Sequence, residues 1–280
     1  MTTLVIGARG SVGRHVLDQL VEAGEPVRAS VRNPVPTDFP ATVPVVAADL
    51  AKPDTLGPAL DGVRSVFLYA TPSGMEDFAV AAVKAGVEHV VVMSSGSVLL
   101  PHTAGNASTE EHRAVERVLT GSGLRWTPVR PLVLANNALN WAWSIRDEGV
   151  VRLLHPEAVM APVHERDVAS VAVAALAGKD GVDELLTGPE PLTQRRQVEL
   201  VAEAVGLPIR VEELTESQAT EQFARFMPVE IAASIVRFVV EATRGGSPTT
   251  DTALRVLGRP PLTFARWAEE HAAEFGGATA

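Results

Sequence analysis

One short segment constrains this chain more than any other. Leu4-Val5-Ile6 runs directly into Gly7-Ala8-Arg9-Gly10-Ser11-Val12-Gly13, and apolar residues then recur with helical spacing at Val12, Val16, Leu20 and Ala23. In a strand that turns through three glycines into a helix, each glycine has a separate physical task. The first makes the tight turn, the second lets a pyrophosphate approach the backbone, and the third lets the helix pack on the strand. The helix start, at Ser11 and Val12, then turns free N–H groups and a positive dipole end toward the phosphates. A glycine triplet alone also fits a plain strand-to-helix turn, so its surroundings decide.

Those surroundings alternate between strand-like and helical patterns. Short runs rich in Val, Leu and Ile occur at 3–7, 26–31, 43–47, 64–69, 88–94 and 125–130, as expected of strands covered on both faces. Helical stretches near 11–23, 54–60, 75–85 and 108–121 separate them, and Gly24, Gly86 and Gly123 close three of these. The pattern predicts an α/β fold: a Rossmann-type, doubly wound parallel sheet. Past Pro131 the alternation loosens. A Trp-bearing helix at 137–147 precedes strand-like pieces at 150–154 and 159–163. A helix at 167–177, capped by Asp167, is followed by a strand at 183–187 and a helix from Thr193 to Val205. The longest helical pattern covers 216–243, and an amphipathic helix ends at Phe275. Residues 1–135 are therefore expected to form a dinucleotide-binding domain, with 136–280 a smaller, mostly helical substrate region packed on it.

Cofactor choice is read at the end of the second strand. NAD-binding chains carry an acidic residue there for the ribose 2′-hydroxyl. This chain reads Val27-Arg28-Ala29-Ser30-Val31-Arg32-Asn33-Pro34, without a carboxylate. Arg32, with Arg9 from the glycine loop, suits a 2′-phosphate, which favours NADPH; two exposed arginines on an Arg-rich surface are the competing explanation. Asp49-Leu50, after the third strand, falls beside the adenine edge, although Asp49 equally fits a loop cap for the 54–60 helix.

Composition excludes more than it specifies. With no Cys, disulfides, thiolate nucleophiles and zinc ribbons are ruled out. A net charge of −10 argues against a nucleic-acid partner. Arg9, Arg14, Arg28 and Arg32 nevertheless give residues 1–34 a local positive balance, a hint of anion binding. No run of 18 apolar residues is present, so no membrane span is expected, and the chain reads as a cytoplasmic monomer or homodimer. The histidines show no metal-ligand grouping, and His164-Glu165-Arg166-Asp167 reads as a turn into a helix.

The opening stretch LVIGARGSVGRHVLDQLVEAGEPVRASVRNP resembles the NmrA-like proteins, the atypical short-chain dehydrogenase/reductases. VEHVVVMSSGSV (87–98), EEHRAVERVLTGSGLRWTPVRPLVLANN (110–137) and LGRPPLTFARWAEEHAAEF (257–275) extend the resemblance over essentially the whole chain. It implies an NADPH-dependent reductase of ketones or quinones, some of whose relatives act on aromatic polyketides in antibiotic biosynthesis. It equally admits a dinucleotide-sensing regulator that turns nothing over. The same resemblance implies that Ala70-Thr71-Pro72 line the cofactor ribose and that Pro131, Leu132 and Val133 meet the nicotinamide amide.

Ordinary members of the superfamily carry a Tyr-x-x-x-Lys pair on the helix after strand five. Taking register from Glu116, His112 stands at the lysine position and Ser108 at the tyrosine position. The single Tyr of the chain, Tyr69, is followed four residues later by Ser73, so the pair is absent. The serine of the family pattern remains as Ser94 or Ser95. Ser95 is the candidate for polarising a substrate carbonyl and Ser94 for the cofactor, against a Ser pair that merely closes a strand. His112 is a candidate proton relay or ribose contact, against an exposed His on a charged helix face. Asn136 and Asn137 fall where extended relatives touch substrate, and also where a helix is capped. Trp141, Trp143, Phe223, Phe226 and Phe238 suit either an apolar substrate cleft or a core, most of them a core. The proton for reduction must then come from elsewhere, which suits quinones and ketones flanked by a phenol.

Overall fold

The computed structural model describes residues 2–34, 39–69 and 71–277. The first half builds β1 (Thr2–Ile6), α1 (Ser11–Glu22), β2 (Val27–Val31), β3 (Val45–Ala47), α2 (Leu56–Leu60), β4 (Val63–Tyr69), α3 (Met75–Ala85), β5 (His89–Met93), α4 (Ala107–Gly121) and β6 (Arg125–Pro131). The second half adds α5 (Ala142–Glu148), β7 (Val150–Leu154), β8 (Val159–Met160), α6 (Glu165–Leu176), β9 (Leu185–Leu186), β10 (Leu192–Thr193) and α7 (Gln194–Val205). It finishes with β11 (Arg210–Leu214), α8 (Glu216–Ala224), α9 (Val229–Ala242), α10 (Thr252–Leu257) and α11 (Phe264–Glu270).

Seven parallel strands form the main sheet in the order β3-β2-β1-β4-β5-β6-β9. Alternate residues along each strand point to opposite faces. Val5, Phe67 and Val91 face one way and pack under α1 and α6, against Val16, Leu17, Val168 and Ala172. Leu4, Val66, Leu68 and Val92 face the other way, against Leu56, Phe78 and Leu119 of α2, α3 and α4. Strand order reverses between β1 and β4, and in such sheets the crevice beyond the strand ends at that point is the ligand site.

The second half does not simply follow the first. It returns to the sheet with β9 and α6, then packs Val151, Val198, Phe264, Trp267 and Phe275 into a core of its own.

Several predicted elements have different limits. The 54–60 and 137–147 helices each open as a tight 3-10 turn, at Pro53–Thr55 and Ala135–Trp141. The strand expected over 159–163 stops at Met160, and Val163 makes an isolated bridge to Leu134. The 216–243 pattern is two helices, because Pro228 lacks an N–H and disfavours helical geometry in the residue before it. Asp167 does not cap α6. His164 does, its Nδ1 accepting from the Arg166 amide at 3.2 Å. Asp167 is instead buried one turn in, accepting from Arg259 Nη2 at 2.7 Å and the Leu262 amide at 2.6 Å. No helix among the described residues is long and apolar enough to cross a membrane.

Candidate active site

At the switch between β1 and β4 the glycine loop forms one wall of a cleft of about 930 Å³. Gly7 takes φ +85°, a left-handed geometry suited to glycine. Gly13 faces the loop so closely that a Cβ there would stand 2.3 Å from the Gly7 carbonyl oxygen. The chain therefore keeps glycine where helix, strand and loop meet, and the first-turn amides of α1 are left to face the cleft beside Gly10, Ser11 and Val12. This cradle fits a dinucleotide pyrophosphate.

Arg9, Arg32, Asp49, Leu50 and Thr71 line the same cleft. Asp49 also serves its loop: Oδ1 accepts from the Ala51 amide at 3.1 Å, and Oδ2 lies 3.8 Å from Lys52 Nζ. Lys52 and Ser73 are lining residues that the sequence did not single out. Pro72 is not among the lining residues, and Ala70 lies outside the described residues.

Of the four N-terminal arginines, only Arg9 and Arg32 serve the cleft. Arg28 reaches across to the carbonyls of Ala59 and Asp61, at 2.8 and 2.9 Å, and clips β2 to the end of α2. Arg14 pairs with Asp18 and lies over the Phe39 ring. The positive balance of this stretch is thus half structural.

A second cavity of about 460 Å³ adjoins the first at Tyr69. One wall holds Ser94, Ser95, Ser108 and His112, from the end of β5 and one side of α4. Pro131, Leu132, Val133 and Asn137 supply another part of the lining. Asn136 is not among the lining residues, and its Oδ1 is buried without a hydrogen-bond partner among the described residues.

Ser94 and Ser95 are used differently. Ser94 donates to Glu116 Oε1 at 2.6 Å. The Ser95 oxygen accepts from the Ser97 amide at 3.2 Å and lies 3.0 Å from Ser97 Oγ, which in turn accepts from Thr109 at 3.0 Å. With the Ser97 hydroxyl proton directed at Ser95, the Ser95 proton is left for the cavity. Burial pushes the His112 imidazole below its usual pKa against the opposing pull of Glu116, which favours the neutral ring.

The rest of the cavity comes from distant sequence. Leu153 and Leu154 of β7, Gln194 and Gln197 of α7, and Phe223, Met227 and Phe238 around the α8–α9 connection complete it. Of the aromatic residues expected in a cleft or core, Trp141, Phe223 and Phe238 line the cavity, whereas Trp143 and Phe226 are exposed. The sequence carried no signal for the amides, because Gln194 and Gln197 look like ordinary helix residues. In the sequence Tyr69 stands out only for its missing lysine partner, although its place at a strand end beside the glycine loop is readable there. Arg152 is the one Arg or Lys among the lining residues, and Glu148 and Glu212 hold it.

The family model described as NAD(P)H-binding matches residues 7–179. Over 279 residues the chain is 38% identical to a (4-alkanoyl-5-oxo-2,5-dihydrofuran-3-yl)methyl phosphate reductase of Streptomyces griseus, covering 97% of this chain and 98% of that one. It is 33% identical over 289 residues to an NAD(P)H azoreductase of Xenophilus azovorans, covering 98% and 99%. Among solved structures, a nucleoside-diphosphate-sugar epimerase of Staphylococcus aureus aligns with TM-score 0.80 at 18% identity, over 96% of this chain and 100% of that one. An Escherichia coli NADPH-dependent quinone oxidoreductase bound to NADPH aligns with TM-score 0.78 at 22% identity, over 96% and 99%. At those identities the two structures speak for the fold alone. The glycine cradle, the parallel sheet and the full-length relatives converge: the chain belongs to the NAD(P)H-binding family and is an oxidoreductase.

Proposed function

We propose that this protein is an NADPH-dependent reductase of a neutral ketone or quinone. The observation that carries the reading is the meeting of two cavities, one built for a dinucleotide and one lined by hydroxyls, amides and apolar side chains. The α1 amides hold the pyrophosphate, while Arg32 and Arg9 answer the 2′-phosphate that separates NADPH from NADH. Bound in this way, the reduced nicotinamide supplies hydride. Ser95 donates a hydrogen bond to the substrate oxygen as negative charge builds there. Ser108 and His112 flank it, and the apolar wall from Leu153 to Phe238 excludes water.

Neutrality of the substrate follows from the charges. The Streptomyces relative is named for a methyl phosphate substrate. Here the one guanidinium lining the cavity, that of Arg152, already bonds Glu148 and Glu212, so a phosphate would have to compete with two carboxylates. An uncharged carbonyl meets no such competition.

The test is to mix the protein with NADPH and a panel of quinones, polycyclic ketones and phosphorylated furanones, following NADPH absorbance. Turnover of neutral carbonyls with little turnover of the phosphate esters is expected. Flat traces throughout, alongside clear NADPH binding, would overturn the reductase and leave the dinucleotide sensor.

A further inference from the structure

We propose that Tyr69 donates the proton in ketone reduction, in place of the absent tyrosine–lysine pair; the inference rests on the reductase reading above. It is the only tyrosine in the chain, and among the described residues it is the one that lines both cavities. It closes β4 beside the strand-order reversal, in register with Met93 of β5, which also lines the second cavity. Its Cβ rests against the glycine loop: a Cβ on Gly7 would lie 3.3 Å from it. The residue is thus fixed at its base by sheet and loop, at the one boundary a nicotinamide and a carbonyl must share if each occupies its own cavity. The side chain is 54% exposed, so water can restore its proton between turnovers.

The other lining groups are poorer donors. The Ser94 proton is engaged by Glu116. Ser95, Ser97 and Thr109 form a hydroxyl chain with no acidic member. Burial favours the neutral His112 ring, which is a weak acid. Lys179 is not among the lining residues of either cavity, and its Nζ donates to the Val256 carbonyl.

In the step proposed, the Tyr69 phenol gives its O–H proton to the carbonyl oxygen while the carbonyl carbon takes hydride from NADPH. The C=O π bond becomes the C–O single bond of the alcohol, NADPH is oxidised to NADP⁺, and the Tyr69 phenolate recovers a proton from water. Quinone reduction leaves a weakly basic hydroquinone oxyanion and needs no such donor.

Tyr69→Phe separates these demands. We expect kcat for the best ketone of the panel to fall about a hundredfold or more, the range of a lost general acid, while quinone turnover and NADPH affinity change far less, because phenylalanine keeps the ring that lines both cavities. Equal ketone rates in wild type and variant would overturn the proposal and leave the reductase reading standing. Loss of quinone turnover as well would overturn it in favour of a residue that merely positions the cofactor. A wild-type protein that reduces quinones but no ketone would overturn both the ketone reading and this role. A second readout needs no turnover. Protein carrying isotope-labelled tyrosine has one tyrosine resonance, which should move with NADP⁺ and again when that ketone is added to the NADP⁺ complex, where it cannot be reduced. A resonance unmoved by either addition would overturn the proposal.

Discussion

Ser94 Oγ donates to Glu116 Oε1 at 2.6 Å, and the same carboxylate receives Arg130 Nε at 3.0 Å and Nη2 at 2.7 Å. These contacts tie the end of β5 to α4 and β6, and so fix the wall that carries Ser95, Ser108 and His112. Glu116 and Arg130 are only 15% and 14% exposed, so each depends on the other to offset its lost hydration. Arg130→Met should cost about 2–3 kcal/mol, below the range for a fully buried pair broken on one side. Urea unfolding measures it. A loss under about 0.5 kcal/mol, the size of an ordinary surface change, would show that the network does not hold the wall.

The glycine loop makes an ordered prediction. A Cβ at position 13 would meet the Gly7 carbonyl oxygen at 2.3 Å and its carbon at 2.9 Å, both backbone atoms; at position 10 the nearest atom is that oxygen at 3.2 Å. Gly13→Ala must therefore push α1 off β1 and should cost about 1–3 kcal/mol as an overpacked contact. Gly10→Ala should cost less stability, yet still weaken NADPH, because Gly10 lines the cleft. Thermal melts with and without NADPH give both quantities, and the reverse order of stability would contradict the geometry.

How much of this was legible in the sequence depended on the range of the interactions. Gly7, Gly10 and Gly13 act on their immediate neighbours, and the Val12, Val16 and Leu20 stripe announces a helix that does pack on the sheet. The seventh strand was visible as 183–187, but not its pairing with β6, which depends on where α6 delivers the chain. The second cavity was the least legible part. Gln194, Phe223 and Met227 come together with His112 only after α7, α8 and α9 have packed, and their local patterns are those of ordinary helices. Asp167 misled for a similar reason. As a short carboxylate before an apolar run it looks like a cap, but Arg259 and Leu262, over ninety residues away, claim it.

Cofactor preference can be tested at Arg32. It follows β2 and lines the cleft with Arg9, and no carboxylate occurs from Val27 to Pro34 to favour a free 2′-hydroxyl. A hydrogen bond to a charged group contributes about 1.5–3 kcal/mol, so Arg32→Ala should weaken NADPH roughly tenfold to a hundredfold. NADH affinity should change little. Calorimetric titration of both cofactors decides the matter, and equal losses would contradict a 2′-phosphate contact.

Between pH 6.5 and 4, acid sensitivity should trace largely to His89. It is 1% exposed within β5, with Nε2 2.8 Å from Thr127 Oγ1. Burial, aided by Arg125, pushes its pKa down from 6.5 to about 4. The unfolded chain takes up that proton near pH 6.5, whereas the folded chain resists until about pH 4. The stability contributed by the neutral ring is therefore intact above 6.5 and is lost as pH falls toward 4. His15 and His112, both lowered by burial, act in the same direction. His271 acts oppositely: burial is the largest single influence and lowers it, but the hydrogen bonds and charges of Glu165 and Glu274 together outweigh burial and raise it, so its contribution is lost as pH rises. His89→Gln should flatten the fall of unfolding free energy between pH 6.5 and 4. An unchanged slope would place acid sensitivity elsewhere.

The hydroxyl wall makes the last prediction, which concerns how the work of reduction is divided. In the proposed reductase Ser95 donates to the substrate oxygen; its Oγ lies 3.0 Å from Ser97 Oγ, which accepts from Thr109 at 3.0 Å. Removing one such donor typically costs a hundredfold or more in kcat where charge develops at the oxygen, about 2.7–4 kcal/mol. Ser95→Ala should show a loss of that order on ketones. Ser108 and His112, which the family resemblance sets at the tyrosine and lysine positions, line the same cavity, but neither has the properties of the missing pair. A serine hydroxyl is a far weaker acid than a phenol, and a neutral imidazole carries no charge to acidify a neighbour. Ser108→Ala and His112→Ala should each keep measurable activity, with losses confined to about tenfold, near the scale of one net hydrogen bond. Single-turnover rates at saturating NADPH isolate the chemical step from product release. If both variants fall to background while still binding NADPH, the proton travels through Ser108 and His112, and the vacated positions have kept the role of the pair they replace.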